Sequence, residues 1–524
     1  MQSNNPTIAF LVVPLASRDT KLPGPYVELR WNNWDDYGYK TTFGVRLFDG
    51  GIYEPSGFRD EDGSIDLGDV KIMNCQLHGG PTEIPNNFTD LPLEYASLGQ
   101  EISYYEKLQK IDKDLRDAYL KAVRDAVFDQ QIEDLASKHE AWEESLLRFG
   151  PAVNALKQGR TLLRGDTSRK NLLTFSMDWV RPEGNVLLDF QFDATQELPG
   201  RTHVLIGYNG VGKTTLLAEL AIAAKQGKAK TNLEDDTPST LRGPDTTFGA
   251  VISVSYSAFD TFPRPKDKTD RHLERGETAW FGYVYCGLRR EIEAHPAGAE
   301  SAAELKSIDE VEAECERALN EASSPWEKSG LVEALEALSQ EPSFARAGVD
   351  VKDFSNHHSA EVFKAKFKAL STGHKIVLNI VAQLAAHLQS RSLVLLDEPE
   401  THLHPPLMAA LLRAIHILLD RHDSFAIVAT HSPVVVQETP SRNVRMVERF
   451  GDHIEVKPAP IETFGENIGH ITRSVFSLES NSTDFQGVLK KLASTFKIEE
   501  IEELFPNGMS LQARALVRNY QAKK

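Results

Sequence analysis

One glycine-rich loop constrains the fold of this chain more than any other feature. It follows an apolar run that ends at Ile206 and precedes a stretch with leucines at helical spacing. Glycines let successive backbone N–H groups curl around a phosphate at the start of a helix. The loop therefore predicts a strand, a phosphate-binding turn and a helix, and a chance glycine-rich turn is disfavoured because both flanking elements are present. Its residues are Gly207, Tyr208, Asn209, Gly210, Val211, Gly212, Lys213, Thr214 and Thr215.

The end of this loop predicts the kind of ligand. Lys213 would place a positive charge beside the β- and γ-phosphates of a nucleotide, and the Thr214 hydroxyl is suited to ligate Mg²⁺. We therefore expect ATP and Mg²⁺ as cofactors.

A pair of carboxylates follows a second apolar run. The run covers residues 393–396, and Asp397 and Glu398 come directly after it. One carboxylate at the end of a buried strand can hold a metal ion, and its neighbour can accept the proton of an attacking water. The pattern predicts Asp397 as a Mg²⁺ ligand together with Thr214, and Glu398 as the catalytic base. An ordinary strand ending in an acidic turn is the alternative, which the upstream phosphate-binding loop disfavours.

Two short motifs complete an ordered set of four. LSTGHK occupies residues 370–375, and ATHSP occupies residues 429–433. The set resembles the motifs of ABC-type ATPases. This resemblance implies an α/β fold, with a mainly parallel P-loop sheet, an antiparallel subsheet and helical insertions. It also implies a dimer in which Ser371 and Gly373 contact the γ-phosphate held by the partner's loop, while His431 senses the γ-phosphate in its own head.

Several positions depart from the pattern of the transporter ATPases. His374 stands in the signature where glycine or glutamine is usual, and Glu400 stands where transporters usually carry threonine. With the HLHP run at 402–405, these departures resemble the soluble RecF-, SMC- and OLD-like branch of the class. The two histidines of that run could form a metal pair, but without a third ligand nearby they are more typical of a structural loop.

The glutamine expected in the class after the strand at 251–256 is missing. Ser257 or Asp260 occupies its place, and the sequence leaves open which of them contacts water or Mg²⁺.

Segments near both ends give a narrower resemblance. WDDYGYKTTF at 34–43 and FGENIG at 464–469 are similar to segments of Septu-type anti-phage ATPases. Those ATPases act with a separately encoded HNH-like nuclease, which implies a sensor or regulatory ATPase of a bacterial defence complex. The segment at 34–43 also suits a polar–aromatic hairpin that completes the antiparallel subsheet, and this interpretation is compatible with the resemblance. No nuclease centre is expected in this chain, because residues after 450 lack Asp-x-Asp and NHH at 356–358 is more typical of a polar loop.

The charge of the chain bears on its partners. Lys and Arg total 58 against 76 Asp and Glu, a formal net charge of −18, so bulk charge does not favour non-specific binding to DNA or anionic membranes. A RecF- or SMC-like repair ATPase that clamps DNA is the alternative function, and it would need a local basic surface. Nucleic acid could also be contacted through the complex. Three separated cysteines and the lack of a long apolar run predict a cytoplasmic protein without a membrane partner.

Composition divides the chain into four segments. Residues 1–96 are β-rich and expected to complete the ATPase head, and residues 97–165 predict one long helix or a helical hairpin. Residues 166–450 are the expected ATPase core with a helical lobe at about 289–370, and residues 451–524 are mixed and helical. The last segment has an apolar face that either packs on the chain's own ATPase lobe or docks a partner subunit or a second copy.

Overall fold

The computed structural model describes most of the chain. The described residues are 7–14, 24–32, 39–49, 63–77, 80–148, 150–165, 171–182, 184–225, 239–258, 260–263, 279–280, 282–291, 303–322, 329–347, 350, 354, 360–451, 453–476 and 484–522. Within these residues, every helix is too short or too polar to cross a membrane.

The N-terminal part forms a sheet of its own. Its strands are β1 (Ala9–Pro14), β2 (Tyr26–Trp31), β3 (Tyr39–Lys40), β4 (Thr42–Phe48), β5 (Ile65–Asn74), β6 (Gly80–Pro81), β7 (Asn87–Phe88) and β8 (Tyr95–Gly99). Six of them pair in the order β7-β1-β2-β4-β5-β8, and β3 pairs with β6. Strands β1 and β2 are parallel, and the other neighbours in the six-stranded sheet are antiparallel.

Four helices cover this sheet and share its core. They are α1 (Ile102–Gln109), α2 (Lys113–Ala122), α3 (Gln130–Ala136) and α4 (Gly150–Leu163), with a π-helical turn at Trp142–Leu146. Tyr105, Leu115 and Trp142 lie in one hydrophobic cluster with strand residues such as Phe43 and Val70. The described strands of residues 1–96 therefore pair with one another and with β8, and bury one face under these helices. The described part of the 34–43 segment, residues 39–43, does not complete the antiparallel subsheet, contrary to the hairpin suggested for it.

The long helix or hairpin expected over residues 97–165 is instead divided into short helices. The Asp112 side chain accepts hydrogen bonds from the N–H groups of Asp114 and Leu115, and Asp129 accepts one from Gln131. Such caps begin new helices and compete with continuous helix. Helical periodicity alone did not reveal these breaks, because both capping residues look like ordinary polar positions of a helix surface.

The strands that follow residue 171 form two larger sheets and one two-stranded sheet. The strands are β9 (Leu172–Trp179), β10 (Val186–Asp193), β11 (Thr202–Ile206), β12 (Thr240–Arg242), β13 (Val251–Ser255), β14 (Ala279–Trp280), β15 (Tyr283–Gly287), β16 (Arg289–Glu291), β17 (Ala303–Leu305), β18 (Leu393–Asp397), β19 (Phe425–Thr430), β20 (Val444–Phe450) and β21 (His453–Pro458). An eight-stranded sheet has the order β14-β15-β13-β18-β19-β11-β20-β21, and its six central strands are parallel. Strands β10-β9-β12 form an antiparallel subsheet. The expected α/β class, a mainly parallel sheet with an antiparallel subsheet and helical insertions, is confirmed.

Helices pack on both faces of the parallel sheet. They are α5 (Lys213–Lys225), α6 (Ile308–Ala322), α7 (Leu331–Ser339), α8 (Pro342–Arg346), α9 (Ala360–Ala369), α10 (Thr372–His387), α11 (Pro405–Arg421), α12 (Pro433–Gln437) and α13 (Ile468–Ser474). Helix α5 belongs to the cluster between the parallel sheet and the subsheet, whereas α6, α7, α10 and α11 belong to the largest cluster. The lobe expected at about 289–370 begins with the β16–β17 strand pair before its helices.

The C-terminal helices pack on one another. They are α14 (Asp484–Thr495), α15 (Ile498–Glu502) and α16 (Leu511–Ala522), and their buried residues Leu489, Ile501 and Val517 form a separate small cluster. Of the apolar face predicted for this segment, Leu489 and Val517 are covered within the segment itself. Four other residues of that face stay exposed, namely Phe485, Val488, Leu504 and Leu511. The boundary drawn at residue 450 falls inside the β20–β21 hairpin, while the division of the chain into four domains stays a prediction.

Candidate functional site

The predicted motifs converge at one edge of the parallel sheet. Strands β11, β18 and β19 are parallel neighbours, with Ile206 opposite Thr430 and Asp397 opposite Ala429. Residues that directly follow these strands therefore meet at the same carboxyl-terminal edge, which is where open α/β sheets bind ligands.

The glycine-rich loop between β11 and α5 lies close to neighbouring backbone. A Cβ atom on Gly207 would come 2.3 Å from the Val447 carbonyl oxygen of β20. Gly212 has φ +96°, and a Cβ there would lie 3.3 Å from the Trp179 ring. A side chain at position 207 would clash with the β20 backbone, and one at position 212 would be strained by the positive φ, so packing favours glycine at the first position and conformation at the second.

Lys213 is buried at the inner side of the loop. Only 4 % of its side chain is exposed, and Nζ donates a hydrogen bond to the Gly207 carbonyl oxygen at 3.0 Å. The same Nζ lies 2.8 Å from His431 Nε2 and 4.0 Å from Glu398 Oε1. Burial lowers the pKa of Lys213, and the neighbouring carboxylates, Glu398 foremost, oppose this shift.

Thr214 and Asp397 are joined across the elements that carry them. Thr214 Oγ1 donates to Asp397 Oδ2 at 2.8 Å. Burial raises the pKa of Asp397 to about 6, while the Thr214 hydrogen bond acts in the opposite direction. The other oxygen, Asp397 Oδ1, is buried without a hydrogen-bond partner among the described residues. An orphaned buried oxygen beside a hydroxyl fits the oxygen donor set that Mg²⁺ prefers.

Glu398 occupies an unusual backbone conformation. Its φ is +45°, in the left-handed region, and its N–H donates to the Ala429 carbonyl oxygen at 2.9 Å. Non-glycine residues are held there only when the surroundings fix them, and such positions cluster at functional sites. The conformation turns the chain at the edge of the sheet directly after Asp397.

His431 lies between an ammonium group and a carboxylate. Its Nε2 is 2.8 Å from Lys213 Nζ and 2.9 Å from Glu398 Oε1. The hydrogen bond to His431 is the main cause that lowers the pKa of Glu398. One ring nitrogen can accept from the lysine or donate to the carboxylate, but not both at once. His431 Nε2 therefore accepts from Lys213 when it carries no proton, and donates to Glu398 when it carries one.

Glu400 makes contacts at this edge that the sequence did not reveal. Its Oε1 accepts hydrogen bonds from Thr430 Oγ1 at 2.7 Å and from the backbone N–H of His431 at 2.6 Å. The carboxylate thus fixes the backbone from which the histidine projects. The sequence marked Glu400 only as a departure from the transporter pattern, since the contact spans β18 and β19.

The predicted replacement for the missing glutamine has a definite place in the fold. Asp260 is fully buried and accepts a hydrogen bond from the Tyr285 hydroxyl at 2.7 Å. Its carbonyl oxygen accepts from Arg289 Nη1 at 2.6 Å. Asp260 also raises the pKa of Asp397, as a minor cause after burial and Glu398, whereas the Ser257 backbone N–H bonds to Ser255 Oγ. Of the two candidates, Asp260 is the one that acts electrostatically on Asp397.

The signature residues lie at the beginning of α10. Ser371 is the N-cap, and its side chain accepts from the His374 backbone N–H. A Cβ on Gly373 would lie 2.9 Å from the His402 carbonyl oxygen. None of the contacts described for Ser371 or Gly373 reaches the glycine-rich loop, in contrast to Asp397, Glu398 and His431. One chain therefore assembles the loop, the carboxylates and the histidine, but not the signature.

The histidines that follow Glu400 have structural surroundings. His404 is the N-cap of α11, where its Nδ1 accepts from the Leu407 N–H at 3.3 Å. His402 ends the short 3₁₀ turn Pro399–His402. The NHH run at 356–358 lies outside the described residues.

An aromatic and a cationic side chain beside the loop were also missed. The Trp179 ring contacts the Gly212 position, and the Arg181 guanidinium lies 4.9 Å from the centroid of that ring. Tyr208, at the second position of the loop, is exposed and donates to the Phe476 carbonyl oxygen at 2.9 Å. In the sequence, Arg181 follows Trp179 by two positions at the end of β9, and this spacing is the signal that could have revealed the pair.

Part of the chain matches a known protein family, and several solved structures match part of its length. The family described as "AAA domain, putative AbiEii toxin, Type IV TA system" matches residues 299–437, which include Ser371, Asp397, Glu398 and His431. Among solved structures, an ATP-binding cassette of an ABC transporter in its ADP conformation is 12 % identical, with a TM-score of 0.27, over 57 % of this chain and 94 % of that one. A metal-chelate type ABC transporter in an inward-facing conformation is 15 % identical, with a TM-score of 0.25, over 55 % and 83 %. These TM-scores are too low to support an argument about this chain.

A curated relative matches over nearly the whole length. Protein ea59 of Escherichia phage lambda is 31 % identical over 519 residues, which cover 94 % of this chain and 94 % of the relative. The chain therefore belongs to the family of protein ea59 of phage lambda.

Proposed function

We propose that this chain binds ATP with Mg²⁺ and hydrolyses it slowly, as a homodimer or a larger even assembly. An ATPase of the ABC/AAA type is supported by the ordered motifs and by the AAA family match. The observation that carries the proposal is the meeting of Lys213, Thr214, Asp397, Glu398 and His431 at one sheet edge.

Binding would begin at the glycine-rich loop. Its backbone N–H groups at the start of α5 provide an anion site, and Lys213 Nζ would exchange its contacts with loop carbonyls for the β- and γ-phosphates. Thr214 and Asp397 would hold Mg²⁺, which when bound neutralises charge on the phosphates. The Arg181 guanidinium, which lies over the Trp179 ring, would stack on the adenine.

Hydrolysis would then use Glu398 as the base. Its pKa is lowered through the His431 hydrogen bond, so the carboxylate is ionised and can accept the proton of the attacking water. His431 would leave Glu398 or Lys213 to donate to the γ-phosphate, and Glu400 would keep its backbone in place. Ser371 and Gly373 would complete the site from the partner's head, because their contacts within one chain do not reach the loop.

The dependence of activity on protein concentration tests this assembly. A site completed by a second copy predicts a specific ATPase activity that rises with concentration until the dimer is saturated. The same series should be followed by mass photometry, with Lys213→Ala as the control for contaminating hydrolysis. Activity equal to that control, or constant specific activity for a protein that stays monomeric, would contradict the proposal.

We also propose that the ATPase regulates a separately encoded HNH-like nuclease in an anti-phage defence complex. The support is the resemblance of residues 34–43 and 464–469 to Septu-type ATPases. Only the second segment lies wholly within the described residues, where FGENIG leads into α13 and the Gln437 side chain donates to the Glu466 carbonyl oxygen. In this proposal the chain contains no nuclease centre of its own.

Expression of the native gene neighbourhood tests the defence role. We expect fewer plaques with the intact neighbourhood than with a Lys213→Ala allele, and we expect a nuclease subunit to co-purify with the ATPase. Equal plaque numbers together with a purified ATPase free of any nuclease would contradict it.

A DNA clamp of the RecF or SMC kind is the second candidate. It is favoured by α9, which exposes Lys364 and Lys368 directly before the signature in an otherwise acidic chain. ATP-dependent retention of closed circular DNA by the Glu398→Gln protein, lost in a Lys364→Glu/Lys368→Glu variant, would favour this candidate over nuclease regulation.

A further inference from the structure

The unusual signature histidine lies in a chain of hydrogen bonds. His374 Nδ1 is 2.9 Å from Ser371 Oγ, and His374 Nε2 is 2.7 Å from Ser343 Oγ. Ser343 Oγ in turn donates to the Glu341 carboxylate at the start of α8. The imidazole thus connects the exposed serine of the signature to the helical lobe, through residues far apart in sequence.

The direction of these hydrogen bonds follows from the number of available protons. A carboxylate only accepts, so the single hydroxyl proton of Ser343 goes to Glu341. Ser343 Oγ must then accept from His374 Nε2–H. In the neutral imidazole this leaves Nδ1 as an acceptor, so Nδ1 accepts a hydrogen bond from the Ser371 hydroxyl. Ser371 therefore has no proton to donate outward while His374 is neutral.

A protonated His374 reverses the bond to Ser371. The imidazolium carries protons on both nitrogens, so Nδ1–H donates to Ser371 Oγ and the serine proton becomes free. A serine that offers its hydroxyl proton is what a γ-phosphate oxygen of the partner's nucleotide requires. Charge-assisted hydrogen bonds to phosphate are also roughly twice as strong as neutral ones.

The surroundings of the imidazole favour its neutral form in the single chain. It is buried, with 6 % exposure, and its ring lies against Phe344, with centroids 4.3 Å apart and the ring planes tilted by 44°. Burial lowers the pKa of His374, Glu341 of α8 opposes this, and His404 at the start of α11 adds to it. An approaching triphosphate is a strong negative charge, and it favours the charged form of the imidazole.

We propose that His374 is a positioning residue that takes up a proton from solvent when two heads close on ATP, and so turns the Ser371 hydroxyl toward the γ-phosphate. The inference rests on the proposed function, because it requires the signature to act on the partner's nucleotide. A closed dimer has two signatures and therefore takes up two protons. Closure is favoured at low pH and weakens as pH rises through the pKa that His374 has in the closed state.

Association measured against pH tests the inference. In a Glu398→Gln background, ATP-driven dimerisation is followed by analytical ultracentrifugation between pH 6.5 and pH 8. Two linked protons make the slope of log Kd against pH up to about two units steeper than without them. The His374→Gln change should remove this part of the slope. The His470→Gln change, at a partly exposed position of α13 outside this chain of hydrogen bonds, should leave it intact. The pH response of ATP itself is common to all variants and cancels in the comparison.

A second variant distinguishes a positioning role of His374 from a purely structural one. In Ser343→Ala, Nε2 no longer faces an acceptor, so a neutral His374 can carry its proton on Nδ1 and donate to Ser371. We expect this variant to dimerise with a reduced pH slope and with tighter association at pH 8 than its parent. Equal slopes in the parent, His374→Gln and Ser343→Ala proteins would overturn the inference while leaving the ATPase intact. No ATP-driven association at any pH would instead overturn the proposed dimer, and the inference with it.

Discussion

The hydroxyl of Thr214 should control Mg²⁺ affinity out of proportion to its size. Thr214→Val keeps the shape of the side chain and removes the 2.8 Å hydrogen bond to Asp397. Asp397 is 3 % exposed and its other oxygen already lacks a partner among the described residues. That hydrogen bond is already present without metal, so the weaker Mg²⁺ binding comes from the loss of the hydroxyl as a ligand and as an orienting group for Asp397. Removing a group that orients a metal ligand costs about 10- to 100-fold in metal affinity, so we expect the Mg²⁺ midpoint to rise by about that factor.

Titration of Mg²⁺ into the protein with saturating ATP, followed by calorimetry, measures this midpoint. Thr214→Ser is the matched control, because it retains the hydroxyl and should stay within about threefold of the parent. ATP binding without Mg²⁺ should change little, since Lys213 and the loop are untouched. An unchanged midpoint in Thr214→Val would refute the assignment of Thr214 and Asp397 as the metal site.

Three further outcomes follow from the structure. Lys213→Ala should abolish nucleotide binding, measured by equilibrium dialysis with labelled ATP, because no other cation among the described residues contacts the loop carbonyls at this position. Asp423→Asn should lower the free energy of unfolding by about 3 kcal/mol in urea titrations, because it breaks a buried ion pair with Arg201; Asp420→Asn, at a position 79 % exposed, pairs with the same arginine and should cost less than about 1 kcal/mol. Truncation after Asn507 should cause aggregation, because it removes α16 and uncovers Leu489, whereas truncation after Phe476 removes the whole cluster and should preserve ATP binding.

The local motifs of the site could be predicted because their chemistry depends on residues close in sequence. Gly207–Thr215 contains the loop and its lysine, and an apolar strand precedes Asp397 as the phosphate chemistry requires. The order of the motifs also predicted the parallel sheet that brings them together. What remained unpredicted depends on pairing between distant segments. Glu400, in the turn after β18, accepts a hydrogen bond from Thr430 at the end of β19, and Trp179 of the subsheet lies where a side chain at position 212 would point.

The N-terminal sheet and its four helices show the same limit. Alternating apolar residues identified its strands, but nothing local distinguished a sheet that joins the ATPase from one that pairs with itself. The separate sheet is stabilised by helices α1–α4, because residues such as Tyr105 and Trp142 pack on its apolar face and bury it. The helices themselves were predicted by periodicity, and their division was missed because Asp112 and Asp129 act through backbone N–H groups.

Turnover by the Glu398→Gln protein tests the central claim most directly. The amide keeps the size of the carboxylate beside His431, so ATP binding should persist, but it cannot accept the proton of the attacking water. General base catalysis contributes about 10²- to 10⁴-fold, so single-turnover hydrolysis should slow by that factor and the ATP-bound dimer should accumulate. Hydrolysis at the rate of the unaltered protein, with ATP bound equally well, would contradict the assignment of Glu398 as the base of an ATPase.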